Sequence, residues 1–173
     1  MPRRINTHGG GARTNANGLH FEQSTNLDDL LFSAGYEVVN HEVFLNDALL
    51  GVSVPKHALY SHFLNNHGIN YKDYNSKKWL PDEAFINFTN NTAYIIEKKF
   101  QNSSGSVDEK LPNCDFKKRE YQKLFDPLDI HVVFIYLFND WFKQDMYDDT
   151  LEYIEDSGCN FFFNDLPLDA IGL

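Results

Sequence analysis

Residues 130–138 (IHVVFIYLF) are apolar or aromatic at every position but His131, and such a run reads as a central strand that must be covered on both faces. That requirement sets the architecture, because a strand with no solvated side needs a sheet sandwiched between helices. The surrounding pattern supplies them. Asn15 or Asn17 can cap a helix whose Leu19, Gln23, Leu27, Leu30, Leu31 and Ala34 share one side and which ends at Gly35. Residues 36–39 read as a first strand, and 55–66 as a helix begun by Pro55 and closed near Gly68. A longer helix is expected over 115–125, set off from an earlier Ser106/Glu109 capping box by Pro112. A further helix is expected over 144–156, with Met146, Thr150, Tyr153 and Ile154 on its stripe, and a last buried strand over 159–163. The expected fold class is therefore α/β, a mixed central sheet flanked by α-helices.

The chemistry concentrates between two of these elements. Residues 93–101 (AYIIEKKFQ) form a strand that follows the turn-like Thr89-Asn90-Asn91-Thr92. Side chains alternate along it, so Ala93, Ile95, Glu97, Lys99 and Gln101 share one face and Tyr94, Ile96, Lys98 and Phe100 the other. Asp82 opens the preceding run 83–88 (EAFINF), and an antiparallel hairpin folds it back beside Glu97. Two carboxylates and an ammonium then converge, the smallest apparatus for metal-dependent cleavage of a phosphodiester. A hard cation such as Mg²⁺ needs only one or two carboxylates plus a phosphate oxygen and waters, and a lysine beside it can orient a water and offset developing negative charge. Taken alone, the residues also fit a turn-opening Asp82 and a solvated strand end at Glu97, Lys98 and Lys99.

Pro81-Asp82 and Glu97-Lys98-Lys99, in this order with an apolar strand between them, resemble the PD-(D/E)xK nuclease superfamily and within it the small type II restriction endonucleases. Gln101 stands where some members carry a glutamine two residues after the lysine. The stretch from Gly105 to Leu111 (GSVDEKL) is similar to the segment that follows the catalytic strand and opens a helix along the DNA backbone. The stretch from Thr14 to Glu22 (TNANGLHFE) is similar to the first loop and helix, where a glutamate faces the metal site. The resemblance covers roughly residues 14–163 and implies a restriction-endonuclease-like core; residues 14–173 are expected as that single domain, after residues 1–13, Gly- and Arg-rich without periodicity, as a flexible arm. It implies that Asp82 and Glu97 bind Mg²⁺ with the backbone carbonyl of Lys98, that Lys99 manages the attacking water, and that Glu22 acts through a metal-bound water or a second metal. The implied reaction is hydrolysis of double-stranded DNA to 5′-phosphate and 3′-hydroxyl ends, by a homodimer whose two-fold axis addresses both strands of a palindrome. Gln101, Ser106, Lys110, Lys117, Lys118 and Arg119 are the candidate DNA contacts, and residues 40–55 and 65–78 the candidate sequence readers.

A formal net charge of −10 opposes binding of a polyanion. The lysines and arginine at 110–123 offset it locally, while residues 145–156 carry much of the negative excess. The alternatives within reach of this composition are a repair or junction-resolving nuclease on the same fold, and a non-catalytic acidic interaction protein that imitates DNA or serves a nuclease as a subunit. No apolar run approaches a membrane span and the N-terminus lacks a signal-peptide core, so an intracellular, soluble, cytoplasmic protein is expected. Cys114 and Cys159 have no CxxC spacing and read as reduced, partly buried thiols. His57, His62 and His67 are spaced by five and diverge on a helix, unlike a zinc pair, and Gly9-Gly10-Gly11 lacks the lysine of a phosphate loop.

Overall fold

The computed structural model describes residues 10–173. Its centre is a seven-stranded mixed sheet whose spatial order is the order of the chain: β1 (Glu37–Val39), β2 (Glu42–Leu45), β3 (Ala48–Ser53), β4 (Glu83–Asn87), β5 (Thr92–Lys99), β6 (His131–Phe138) and β7 (Asn160–Phe163). Strands β1 to β5 form an antiparallel meander. Strands β5, β6 and β7 run parallel. Parallel neighbours need crossover connections, and these are supplied by α3 (Cys114–Phe125) between β5 and β6 and α4 (Asp148–Asp156) between β6 and β7.

The two sheet faces carry two separate cores, which is the covering that the apolar run of β6 requires. On one face Ala84, Ile86, Ala93, Ile95, Val132, Phe134 and Tyr136 pack against Leu59, Phe63, Tyr121, Leu124 and Phe125. On the other, Phe85, Tyr94, Ile96, Ile135 and Leu137 pack against Phe21, Leu27 and Leu31 of the N-terminal helices and against Leu166 and Ile171. Among the described residues no helix is long and apolar enough to cross a membrane.

Several local expectations change. The first helix is two: α1 (Gly10–Ser24) and α2 (Leu27–Ser33). Helix α1 begins at Gly10, inside the stretch expected to be an arm, and runs through Asn15 and Asn17, so neither asparagine caps it; residues 1–9 lie outside the described residues. The break falls at Asn26, whose extended backbone and Oδ1, which accepts from the Asp29 amide at 3.0 Å, start α2 afresh with Asp28 and Asp29 in its first turn. Residues 40–55, expected as a recognition loop, are mostly strand, because Asn40-His41 and Asn46-Asp47 adopt the left-handed backbone of tight hairpin turns.

The helix expected over 55–66 is shorter, a π-helical segment at Leu59–Leu64 followed by a 3₁₀ turn and Gly68 at φ 76°. Pro55 cannot begin it, since Lys56 sits at φ 50°. Ser106 makes no capping bond; the 3₁₀ turn Asp108–Asn113 holds Pro112 and leads straight into α3. The helix expected over 144–156 splits into a 3₁₀ turn and α4, and its apolar stripe is displaced: Met146 and Tyr153 are exposed, whereas Tyr147 and Ile154 are buried. The phenylalanines of β7 are half-buried, as an edge strand allows, while Cys114 and Cys159 are buried completely.

Candidate active site

The register of the β4–β5 hairpin fixes the site. Glu83 pairs with Ile96, so the next position outward sets Asp82 opposite Glu97, on the same face. Asp82 is locked there by its Oδ2, which accepts from the backbone N–H of Lys98 at 2.8 Å. Parallel pairing of β5 with β6, with Glu97 beside Tyr136 and Lys99 beside Phe138, makes this end of β5 the interior of a sheet rather than a solvated edge. Glu97 is accordingly 6% exposed.

A buried carboxylate needs compensation, and Glu97 has two ammonium groups. Lys99 Nζ donates to Oε2 at 3.0 Å, and Lys117 Nζ, arriving from α3, donates to Oε1 at 2.7 Å and Oε2 at 2.6 Å. Burial alone would push the Glu97 pKa up, but the charges of Lys99 and Lys117 outweigh it and hold the carboxyl below its ordinary range. Glu97 is therefore an anion at neutral pH. Beneath it the buried Tyr121 hydroxyl has no hydrogen-bond partner among the described residues, and burial, with the charges of Glu97 and Asp82 acting on it, raises its pKa.

Alternation sends Lys98 to the opposite face, where it does a different job. Its Nζ donates to Glu83 Oε1 at 2.8 Å and to the backbone carbonyl of Glu22 at 3.0 Å, and Glu83 Oε1 also accepts from the Leu27 amide at 3.4 Å. This buried pair pins the α1–α2 junction to the hairpin. Desolvation raises the Glu83 pKa despite Lys98 beside it, the reverse of Glu97. Two glutamates fourteen residues apart thus titrate in opposite directions because one has two cations and the other one.

Glu22 is exposed on α1 and reaches the site from the side. It lines a cleft of about 330 Å³ together with Lys56, Asp82, Glu83 and Lys98, and an adjoining one of about 430 Å³ with Lys99, Phe100 and Val107. The basic trio of α3 does not form one face. Successive helical residues diverge by a hundred degrees, so Lys117 turns inward to Glu97, Lys118 donates to the Gly158 carbonyl at 2.8 Å, and Arg119 pairs with Asp115 at 3.0 Å. Lys110 and Ser106 are exposed. Gln101 is not: it is 4% exposed, and both its side-chain polar atoms lack partners among the described residues.

Two participants escaped the sequence reading, and a third, Lys117, carries a role beyond the DNA contact expected of it. Lys117 is a ligand of Glu97 as well as a surface cation, Lys56 lines the cleft, and Glu83 is the counter-ion of Lys98. Only Glu83 left a signal, an acidic residue in an apolar strand; the other two depend on where separate elements pack.

Whether a divalent cation fits this site depends on its donors. Asp82 and Glu97 bring hard carboxylate oxygens to neighbouring strands, and a cation there would share the Glu97 oxygens with Lys99 and Lys117, while the unpartnered Tyr121 hydroxyl, which feels the charge of both carboxylates, marks a position that an ordered water can satisfy. Among the described residues no three His, Cys, Asp or Glu side chains form a metal-binding group; a hard cation that shares its shell with water and substrate oxygens needs only one or two carboxylates. These residues fit such an ion.

No curated protein and no solved structure matches the chain. The profile of the PD-(D/E)XK nuclease superfamily domain matches residues 22–124, which begins at Glu22, includes both motif strands and ends in the last turn of α3. A match of that extent, on a mixed α/β sheet that sets Asp82 against Glu97 and Lys99, makes the chain a member of the PD-(D/E)XK nuclease superfamily.

Proposed function

We propose that the protein is a Mg²⁺-dependent endodeoxyribonuclease of the type II restriction kind, which hydrolyses double-stranded DNA to 5′-phosphate and 3′-hydroxyl ends. The observation that carries this reading is the pair Asp82 and Glu97 on neighbouring strands, with two lysines on the second carboxylate. Asp82, Glu97 and the Lys98 carbonyl would hold the cation, which supplies positive charge to the phosphoryl oxygen and acidity to a bound water. Lys99, anchored to Glu97 Oε2, keeps its remaining N–H bonds for orienting the attacking water. Lys117 offsets negative charge on the phosphoryl group from the side of α3. Glu22, which shares one cleft with Asp82 and the adjoining one with Lys99, would hold a water there. A homodimer would present two such sites to a palindrome.

The test is incubation of the purified protein with long linear duplex DNA in Mg²⁺ or in EDTA. Discrete Mg²⁺-dependent bands, lost in Lys99→Ala and Glu97→Ala proteins that retain their fold, are expected. Cleavage that survives either substitution would move the active site elsewhere.

A further inference from the structure

Behind the catalytic lysine lies a cavity of about 460 Å³ lined by Trp79, Lys99, Lys110, Asn113, Phe116 and Lys117. Its size falls within the roughly 300–1,000 Å³ of small-molecule sites. Its lining is unusual for a chain of net charge −10: three ammonium groups face it, and among the described residues Glu97 is the only carboxylate paired with any of them. The aromatic walls differ in character. Trp79 is fixed, its Nε1 donating to Glu120 Oε2 at 3.4 Å and Lys77 lying over its ring at 4.3 Å. Phe116 meets Trp79 edge-on at 5.9 Å and is 54% exposed, so a ring face stands open among the lysines.

An exposed phenylalanine alone is ordinary. One set beside Lys99, Lys110 and Lys117 combines a stacking surface with anion-binding groups, the pairing used to hold single-stranded nucleic acid. We infer that this pocket binds an unpaired nucleotide next to the scissile phosphate, its base on Phe116 and its phosphate among Lys99, Lys110 and Lys117. A base inside a duplex has both faces stacked on its neighbours and cannot use Phe116 without leaving the helix. The occupant is therefore a single-stranded end, a gap or an extruded base. This inference rests on the nuclease reading for its substrate, though not for its measurement.

The measurement is fluorescence anisotropy of a labelled twelve-residue oligothymidylate with the full chain, in EDTA and low salt, so that no cleavage contributes. The wild type should bind; Phe116→Ala should bind about tenfold more weakly, in the range of one lost base stack, and Phe116→Trp should restore affinity. Phe116 is half in solvent, so the alanine variant should fold, which circular dichroism verifies. No binding, or equal binding by the wild type and Phe116→Ala, overturns the pocket assignment, and Mg²⁺-dependent duplex cleavage would still stand. Binding that depends on Phe116, with neither duplex nor oligonucleotide cut in Mg²⁺, supports the pocket and overturns the nuclease reading instead.

Discussion

Removing the ammonium of Lys98 should be costly in a way that depends on pH and on Glu83. In Lys98→Met the Glu83 carboxylate, buried and already raised in pKa, loses the one cation paired with it among the described residues and the Glu22 carbonyl loses a donor. The carboxylate can escape by protonating, which limits the loss. Protonation at pH 7 of a group that ionises near 4.5 in the unfolded chain costs about 1.36 kcal/mol per pH unit, or about 3.4 kcal/mol. That ceiling agrees with the roughly 3–5 kcal/mol measured for broken buried pairs. The sign follows from linkage: a folded pKa above the unfolded value gives stability that is complete below the unfolded pKa and lost as pH rises through the folded one. Urea unfolding should show Lys98→Met destabilised by about 3 kcal/mol at pH 7 and by up to about 2 kcal/mol less at pH 5.5. The double variant Glu83→Gln, Lys98→Met should recover most of the loss at pH 7. A deficit that ignores pH, or a double variant no better than the single, would refute the argument that an unpaired Glu83 is its source.

Glu97 should behave in the opposite sense. Its folded pKa lies below the unfolded value, so its stabilisation is present above about pH 4.5 and lost as pH falls through the folded value; Glu97→Gln should flatten the acid limb of the urea midpoint against pH. Gly51→Ala should cost about 3 kcal/mol or more, because a Cβ at Gly51 would stand 2.1 Å from the Ile86 carbonyl oxygen, backbone that cannot swing aside; thermal unfolding reads this directly. Asn26→Ala should cost about 1 kcal/mol in urea through loss of the α2 cap.

How much of this was legible in the sequence follows from which residues act locally. The apolar run of β6 and the alternation in β5 required no partner to read, and the Asn-rich turn between β4 and β5 made the Asp82–Glu97 proximity a matter of counting. The β2–β3 hairpin was missed, although Asn46-Asp47 stands between the apolar stretches 43–45 and 48–50, because the Asn and His residues of 40–55 read as a recognition loop. The break at Asn26 carried its own signal in the acidic turn that follows, masked by a leucine spacing that stays helical across it. What no local pattern contains is the meeting of elements. Lys117 reaches Glu97 only because α3 packs over β5 and β6, and Lys98 finds Glu22 only because α1 lies on the other face.

A sheet whose spatial order equals its chain order has a consequence for how the molecule is assembled. Every strand pairs with the strand made just before it, and the β1–β2, β2–β3 and β4–β5 pairings close tight turns, which lowers their entropic cost. The meander up to β5 can form as it leaves the ribosome, and the hairpin that joins Asp82 to Glu97 is then complete before α3 has been synthesised. Until that helix arrives with Lys117, and β6 beside it, the Glu97 carboxylate stays in water, where an unpaired charge costs little. The Asp82–Glu97 juxtaposition thus needs only the hairpin, while the burial of Glu97 needs α3 and β6, which follow it in the chain.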